Sequence, residues 1–248
     1  MPLSADFKSI HHKNWEIYFS QCYPNGAIKL PELANILQLT AAEHADSAGV
    51  GFDDLSKYDQ SWVMNRMRIE LGGLPIFSQE IEVKTWIEEL KGFKSTRNFE
   101  VSREGKKLLG VSTLWAIFNM KKRRPDALQF DTSYVEQYPD MHATAFPNQR
   151  IELNFDVENS YEQKVQFADL DIVNHVNNTK YLEWCLNYID PIIILKNKIK
   201  AIDLNFIKEL SLGDTISIQR SVMDNKIRFK ILKGEQICFA CVFEIEHE

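Results

Sequence analysis

The sequence predicts an α+β protein made of two similar halves, and three observations carry that reading. Each half opens on a β-like segment that runs into a polar turn. Each then has one helical stretch. Each finishes with a succession of β-like runs separated by hairpin signals. The 248 residues, 44% of them hydrophobic, suffice for one large domain or two small ones with a sizeable core.

The elements follow in order. In the first half a strand is expected over residues 12–21, then the turn Tyr23-Pro24-Asn25-Gly26 and a helix over 30–45. β-like runs come at 62–71, 79–90, 95–103 and 107–120, with Arg103-Glu104-Gly105-Lys106 as a hairpin turn. The polar, proline-containing stretch 124–150 is the expected boundary, leaving halves at 1–130 and 150–248. In the second half a β-like segment ends near Ala168. A helix is expected over 177–188, because Tyr181, Trp184, Cys185 and Tyr188 have i, i+3, i+4, i+7 spacing. Strands follow at 199–209, 215–223, 226–232 and 236–245. Asp224-Asn225 and Lys233-Gly234-Glu235 mark the turns.

Chemistry concentrates between Asp169 and Asn178, where two carboxylates, one imidazole and three amides fall within ten residues. This cluster stands just before a helix, whose N-terminal N–H groups and positive dipole end can polarise a carbonyl. Hydrolysis or proton transfer at a carbonyl is the chemistry such a set suits. Aligned by eye, Asn25-Gly26 falls opposite Asn174-His175. Gly26 has no proton to exchange, so the acid/base set occurs once, in the second half. Each residue also has an ordinary reading. Asp171 can form an Asx turn, and Asp169 can order the same turn. His175 can be a hydrogen-bonded core histidine. Asn177 and Asn178 can be helix caps, each worth about 1 kcal/mol. Glu209 can be a surface strand carboxylate. Trp184 and Tyr188 read as helix core, and His11 and His12 have no matching acid nearby.

Composition excludes other classes. A net charge of −6 argues against general nucleic-acid binding. The run from Ile192 to Leu195 is far too short to span a bilayer, and the first residues lack the apolar core of a secretory signal. A cytoplasmic protein is expected. Four cysteines do not make a disulfide scaffold. Cys238 and Cys241 fall three apart in a β-like stretch, on opposite faces, so no metal or redox site is expected. No P-loop, dinucleotide fingerprint or G-x-S-x-G elbow is present.

The stretch around His175 resembles the catalytic motif of acyl-acyl carrier protein thioesterases, D-L-D-x-N-x-H-V-N-N-x-K-Y-x-x-W. Asp169, Leu170, Asp171, His175, Val176, Asn177, Asn178, Lys180, Tyr181 and Trp184 match it. The run from Trp62 to Glu70, Thr85-Trp86, and Asn205 to Glu209 match in the same order. The resemblance implies two tandem hot-dog domains, each a curved antiparallel sheet around a long helix. It implies a thioester hydrolase that releases free fatty acid in fatty-acid biosynthesis, without cofactor or metal. Asp171, His175 and Glu209 take the catalytic places. Asn177, Asn178, Arg66 and Trp86 are candidates for substrate binding, while the role of Arg97 stays open. The implied partner is acyl carrier protein, with Lys121, Lys122, Arg123 and Arg124 as the docking cluster, or else as an ordinary solvated charge run. A monomer or a homodimer fits.

Two departures stand out. The family's Asn, two residues before the His, is Val173 here, with Asn174 one place later as the candidate substitute. A one-residue shift in extended chain turns a side chain to the other face. The cysteine that plant members carry after the acidic position is Leu210, which favours water attack over a thiol nucleophile. Three rivals remain: an acyl-coenzyme A thioesterase, a hot-dog dehydratase and a non-catalytic acyl-binding protein.

Overall fold

The structure, a computed structural model, describes residues 4–246. Among them one antiparallel sheet gathers eleven strands. The first half contributes β1 (Ile10–Glu16), β2 (Gln60–Leu71), β3 (Glu80–Lys91), β4 (Lys94–Arg103), β5 (Lys106–Asn119) and β6 (Arg124–Pro125). The second contributes β7 (Asn159–Lys164), β8 (Ile199–Phe206), β9 (Thr215–Met223), β10 (Lys226–Lys233) and β11 (Gln236–Ile245). The order is β1-β3-β4-β5-β2-β8-β11-β10-β9-β7, with the short β6 on β5. Outward from the middle, β2-β5-β4-β3-β1 mirrors β8-β11-β10-β9-β7, which is the repeat expected from the sequence.

The helices are α1 (Leu30–Ser47), α2 (Phe52–Ser56), α3 (Asn178–Leu186) and α4 (Pro191–Leu195). α1 buries Leu30, Leu33, Leu37, Ala41 and His44 along one face, at helical spacing. α3 is half as long as α1. Asp190 caps α4 through the Ile192 N–H, with Pro191 in its first turn. A single core takes in Leu37, Met67, Ile69 and Phe99 of the first half with Leu182, Ile202, Phe229 and Phe243 of the second.

The halves meet where β2 pairs with β8, from Arg66 opposite Asn205 to Glu70 opposite Ala201. Across this seam Arg68 donates to Asp203 at 2.6 Å, with Glu244 3.7 Å away, and along its own strand it donates to Glu70 at 2.8 Å. Burial pushes the Asp203 carboxyl up to about 6, against the pull of Arg68.

Some boundaries differ from expectation, for local reasons. The strand expected over 12–21 stops at Glu16. Phe19–Gln21 instead form a short 3-10 turn, held because the Gln21 side chain accepts from the Tyr18 N–H at 2.9 Å. Asp169 does the same for the Gln166 N–H at 2.8 Å, ordering its turn as the sequence allowed. The strand expected over 199–209 stops at Phe206. The N–H groups of Ile207 and Lys208 both donate to the Cys238 carbonyl, which peels Glu209 off the sheet. The stretch 124–150 is no free linker. The Tyr138 N–H bonds the Ile87 carbonyl, Lys107 bonds the Ala143 carbonyl, and any side chain at Gly110 would collide with that carbonyl.

β2 holds one irregularity that bears on the site. Met64 opposes Trp115 and Arg66 opposes Leu114, so Asn65 is an extra residue without a partner on β5, a β-bulge.

Candidate active site

Upstream of Arg66, β2 diverges from β8, and a cleft of about 300 Å³ opens in the gap. One wall is Ser61 to Asn65. A second is Phe206 to Glu209. The third is the turn before α3, with Asp171, Val173, His175, Val176 and Asn178. Both halves therefore build it.

The turn is a small hairpin. The Asp171 N–H donates to the His175 carbonyl at 2.8 Å, and the Asn174 N–H to the Asp171 carbonyl at 3.0 Å. Asp171 Oδ1 accepts from the backbone N–H groups of Val173 at 3.0 Å and His175 at 3.2 Å. Asp171 thus forms the Asx turn allowed for it while still lining the cleft. His175 Nε2 lies 3.5 Å from Glu209 Oε2, both side chains about one quarter to one third exposed. Arg123 Nη2 donates to the same Glu209 oxygen at 2.6 Å. The structure therefore brings Asp171, His175 and Glu209 to one cleft, and adds Arg123 to them.

The other candidates divide. Asn178 lines the cleft, but its Nδ2 donates to Gln38 of α1 at 3.2 Å. Asn177 is the cap of α3, accepting from the Thr179 N–H and hydroxyl at 2.9 Å each, and does not line the cleft. Asn174 is exposed at the turn's apex with φ +64° and is not brought to the cleft, whereas Val173 is. Arg66 and Trp86 do not line this cleft. Trp86 is core, 1% exposed, its indole N–H on the Met141 carbonyl at 2.8 Å. Leu210 is fully buried, and among the described residues none of the four cysteines lines the cleft.

The alignment of the halves shifts by one residue from that read by eye. In the first half the Tyr23 N–H donates to Ala27 and the Gly26 N–H to Tyr23, as Asp171 and Asn174 do in the second. The bridges Cys22–Ile28 and Leu170–Val176 match as well. Gly26, at φ +81°, therefore corresponds to Asn174, and Ala27 to His175. Asn is the non-glycine residue that best tolerates this left-handed place, which explains its presence there. The first half still lacks the acid/base set, with alanine where the second has histidine.

A second cavity of about 190 Å³ lies in the first half, between α1 and the sheet. Its walls are mostly apolar, with Ala41, Ala45, Ile87, Leu90 and Val135 among them, and Ser61 and Trp62 border both cavities. Arg97 and His44 form one wall, Arg97 Nη1 donating to His44 Nδ1 at 2.9 Å. His44 Nε2 donates to the Lys8 carbonyl at 2.9 Å, and its ring is stacked between Phe7 and His11. Burial, reinforced by the Arg97 charge, holds the His44 imidazole down at about 3. Sequence reasoning did not place His44 or Arg123 near a cavity, because each arrives there by a contact distant along the chain.

Comparison with known proteins fits this geometry. The acyl-ACP thioesterase N-terminal domain matches residues 8–136, and the C-terminal domain of the same family matches 153–247. The acyl-[acyl-carrier-protein] hydrolase FATB3 of Cuphea viscosissima is 27% identical over 192 residues, covering 71% of this chain and 46% of that protein. The oleoyl-acyl carrier protein thioesterase 2 of Arabidopsis thaliana is 26% identical over 227 residues, covering 84% and 62%. The chain spans about half to three fifths of the length of these relatives. The crystal structure of an acyl-ACP thioesterase from Bacteroides thetaiotaomicron superposes with a TM-score of 0.87 at 24% identity, covering 96% of this chain and 98% of that one. That likeness carries the α+β tandem hot-dog fold, as expected. With both domain descriptions matched in order over most of its length, the chain belongs to the acyl-ACP thioesterase family.

Proposed function

We propose that the protein hydrolyses the thioester of fatty acyl-acyl carrier protein, releasing free fatty acid and ending a round of fatty-acid synthesis. The observation that carries this reading is the meeting of His175 and Glu209 at 3.5 Å in a cleft that opens beside the start of α3. In this reading water attacks the thioester carbon, and its proton passes to the His175–Glu209 pair. The tetrahedral intermediate collapses with cleavage of the C–S bond, and the proton goes to the departing sulfur. The first-turn N–H of Asn178 has no i−4 partner and is the donor offered to the carbonyl oxygen. Arg123 fixes the Glu209 carboxylate. The acyl chain passes Trp62 into the apolar cavity of the first half.

Docking of an acidic carrier falls to the basic run at the cleft's edge, where Arg123 and Pro125 line the opening. Lys121 and Lys122 are already paired, with Asp59 and Asp126, yet are more than half exposed. Arg124 is exposed on β6. Four free thiols suit a reducing compartment, and we place the protein in the cytoplasm.

The test is thiol release from a panel of acyl-acyl carrier proteins. Wild type is expected to turn over, with His175→Ala and Glu209→Gln each lowering kcat by about 10²–10⁴-fold. No release by folded wild type sinks the hydrolase reading. Equal kcat/KM on acyl-coenzyme A removes the carrier preference.

A further inference from the structure

The first-half cavity holds a charge that nothing in it answers. Among the described residues that line it, only Arg97 is charged at neutral pH, and no aspartate or glutamate borders it. Arg97 stands on β4, 9% exposed. Its Nη1 donates to two neutral acceptors, His44 Nδ1 at 2.9 Å and Thr85 Oγ1 at 3.2 Å. Its Nε and Nη2 have no hydrogen-bond partner among the described residues, yet neither is sealed from solvent. Burial pulls the guanidinium down to about 10, which leaves it protonated at pH 7. The His44 ring cannot compensate it, because burial keeps that imidazole neutral. A buried cation is normally paired with an anion, and a guanidinium presents a planar fork that fits a carboxylate. The buried arginine of the seam gives the contrast, since Arg68 meets both Asp203 and Glu70.

We propose that Arg97 recognises a carboxylate at the far end of the acyl chain, so that the preferred substrates are acyl thioesters ending in carboxylate rather than methyl. The inference deepens the hydrolase reading and rests on it. Ser61 and Trp62 border both cavities, so a chain whose thioester lies in the cleft passes them into the first half. Ser61 pairs with Phe118, which lines the cleft, and Arg97 pairs with Thr113 on the same strand, β5. From Phe118 to Thr113 is about 17 Å, at about 3.4 Å per residue. An extended chain with C–C bonds of about 1.5 Å advances about 1.3 Å per carbon, so about thirteen carbons span that distance. Ala41, Ala45, Ile87, Leu90 and Val135 hold the methylenes. The terminal carboxylate accepts from Nε and Nη2, the two donors left open on one edge of the fork.

The experiment compares two acyl-acyl carrier proteins of about thirteen carbons, one ending in methyl and one in carboxylate, on wild type, Arg97→Met and Arg97→Lys. Wild type is expected to favour the carboxylate-ended substrate in kcat/KM by about tenfold or more. Arg97→Met is expected to lose about 10²-fold on that substrate while the methyl-ended one stays within about threefold, and Arg97→Lys to fall between. A structural role alone lowers both substrates together, and that result overturns the proposal. So does a wild type that shows no preference or favours the methyl end, a result that needs no variant to fold. Wild type without the preference, yet inhibited by plain fatty acid through Arg97, assigns the site to the released product and overturns the substrate reading. Binding is read without turnover from tryptophan emission, since Trp62 and Trp115 line the cavity. The probe is the monomethyl ester of the matching dicarboxylic acid. Its Kd is expected about tenfold or more below that of the plain methyl ester in wild type, and equal to it in Arg97→Met. Equal Kd values in wild type overturn the site. If neither substrate is turned over, the hydrolase reading falls while the emission titration still decides this site.

Discussion

Asn174 holds a backbone angle, φ +64°, that most side chains resist. Glycine keeps the angle and discards the amide, so Asn174→Gly is expected to retain kcat within about twofold, while Asn174→Ala loses about 1 kcal/mol of stability from the strained backbone. Thiol release and urea midpoints check both. A hundredfold loss of kcat in the glycine variant would return the amide to residue 174. His44 gives a pH signature. Its imidazole is held at about 3 when folded, well below the ordinary 6.5, so the protonated form belongs to the unfolded chain. The stability it contributes is present above pH 6.5 and is lost as pH falls from there towards 3, up to about 4 kcal/mol for a group this buried. Unfolding midpoints from pH 8 to 4 are expected to fall, with a shallower slope in His44→Gln. Arg123 separates two roles. If it only docks the carrier, Arg123→Ala raises KM for the carrier substrate and leaves a short acyl-pantetheine untouched. Fixing Glu209 at 2.6 Å predicts that kcat falls on both substrates.

At the scale of elements, α3 depends on its cap. Asn177→Ala is expected to cost about 1 kcal/mol, with Asn177→Asp or Asn177→Ser nearly neutral, as read by urea unfolding. Much at this scale was legible in the sequence because it is local. The hairpin turns at Glu104-Gly105 and Asp224 carry positive φ, at +51°, +75° and +55°, and the residue types there advertise it. α1 was readable from the spacing of Leu30, Leu33, Leu37 and Ala41. Three features were not legible, and each depends on a distant contact. Glu209 leaves the sheet because a carbonyl on β11 takes the two preceding N–H groups. Trp86, matched to a family position, sits in the core because Met141 of the connecting stretch covers it. The one-residue register of the repeat rests on which residue adopts positive φ, and Asn174 disguises a place that Gly26 makes plain. Of the site, Asp171, His175 and Glu209 came from the motif. Arg123 was read only as part of a docking cluster, since its ion pair with Glu209 leaves no periodic trace.

Over the whole molecule, the β2–β8 seam and the shared core join the halves, which are therefore expected to unfold as one cooperative body. Removing one member of its buried ion pair leaves the other without compensation. Arg68→Met is expected to cost about 3–5 kcal/mol near pH 8. Asp203 is raised to about 6 in the fold, so the stability it supplies is present below its ordinary 3.8 and lost as pH rises through 6. Without Arg68 the Asp203 carboxyl is pushed up further, so the Arg68→Met penalty is expected to shrink as pH falls from 8 towards 6, where the unpaired carboxyl takes up a proton. Arg68→Met with Asp203→Leu should recover most of the loss at pH 8. One urea transition, followed by tryptophan emission and by circular dichroism alike, checks that the body unfolds as a unit.

Exchange of halves between relatives would combine the first-half cavity of one with the turn before α3 of another, and the seam sets the terms of such a graft. A cut within the stretch 124–150 leaves Arg68 with one parent and Asp203 with the other. It also divides Asn178 from Gln38, the bond that ties the start of α3 to α1, which lines the first-half cavity. A chimera built at that cut is sound only when both cross-half pairs are carried over together. The second half should therefore be transplanted with β2 as its fixed companion.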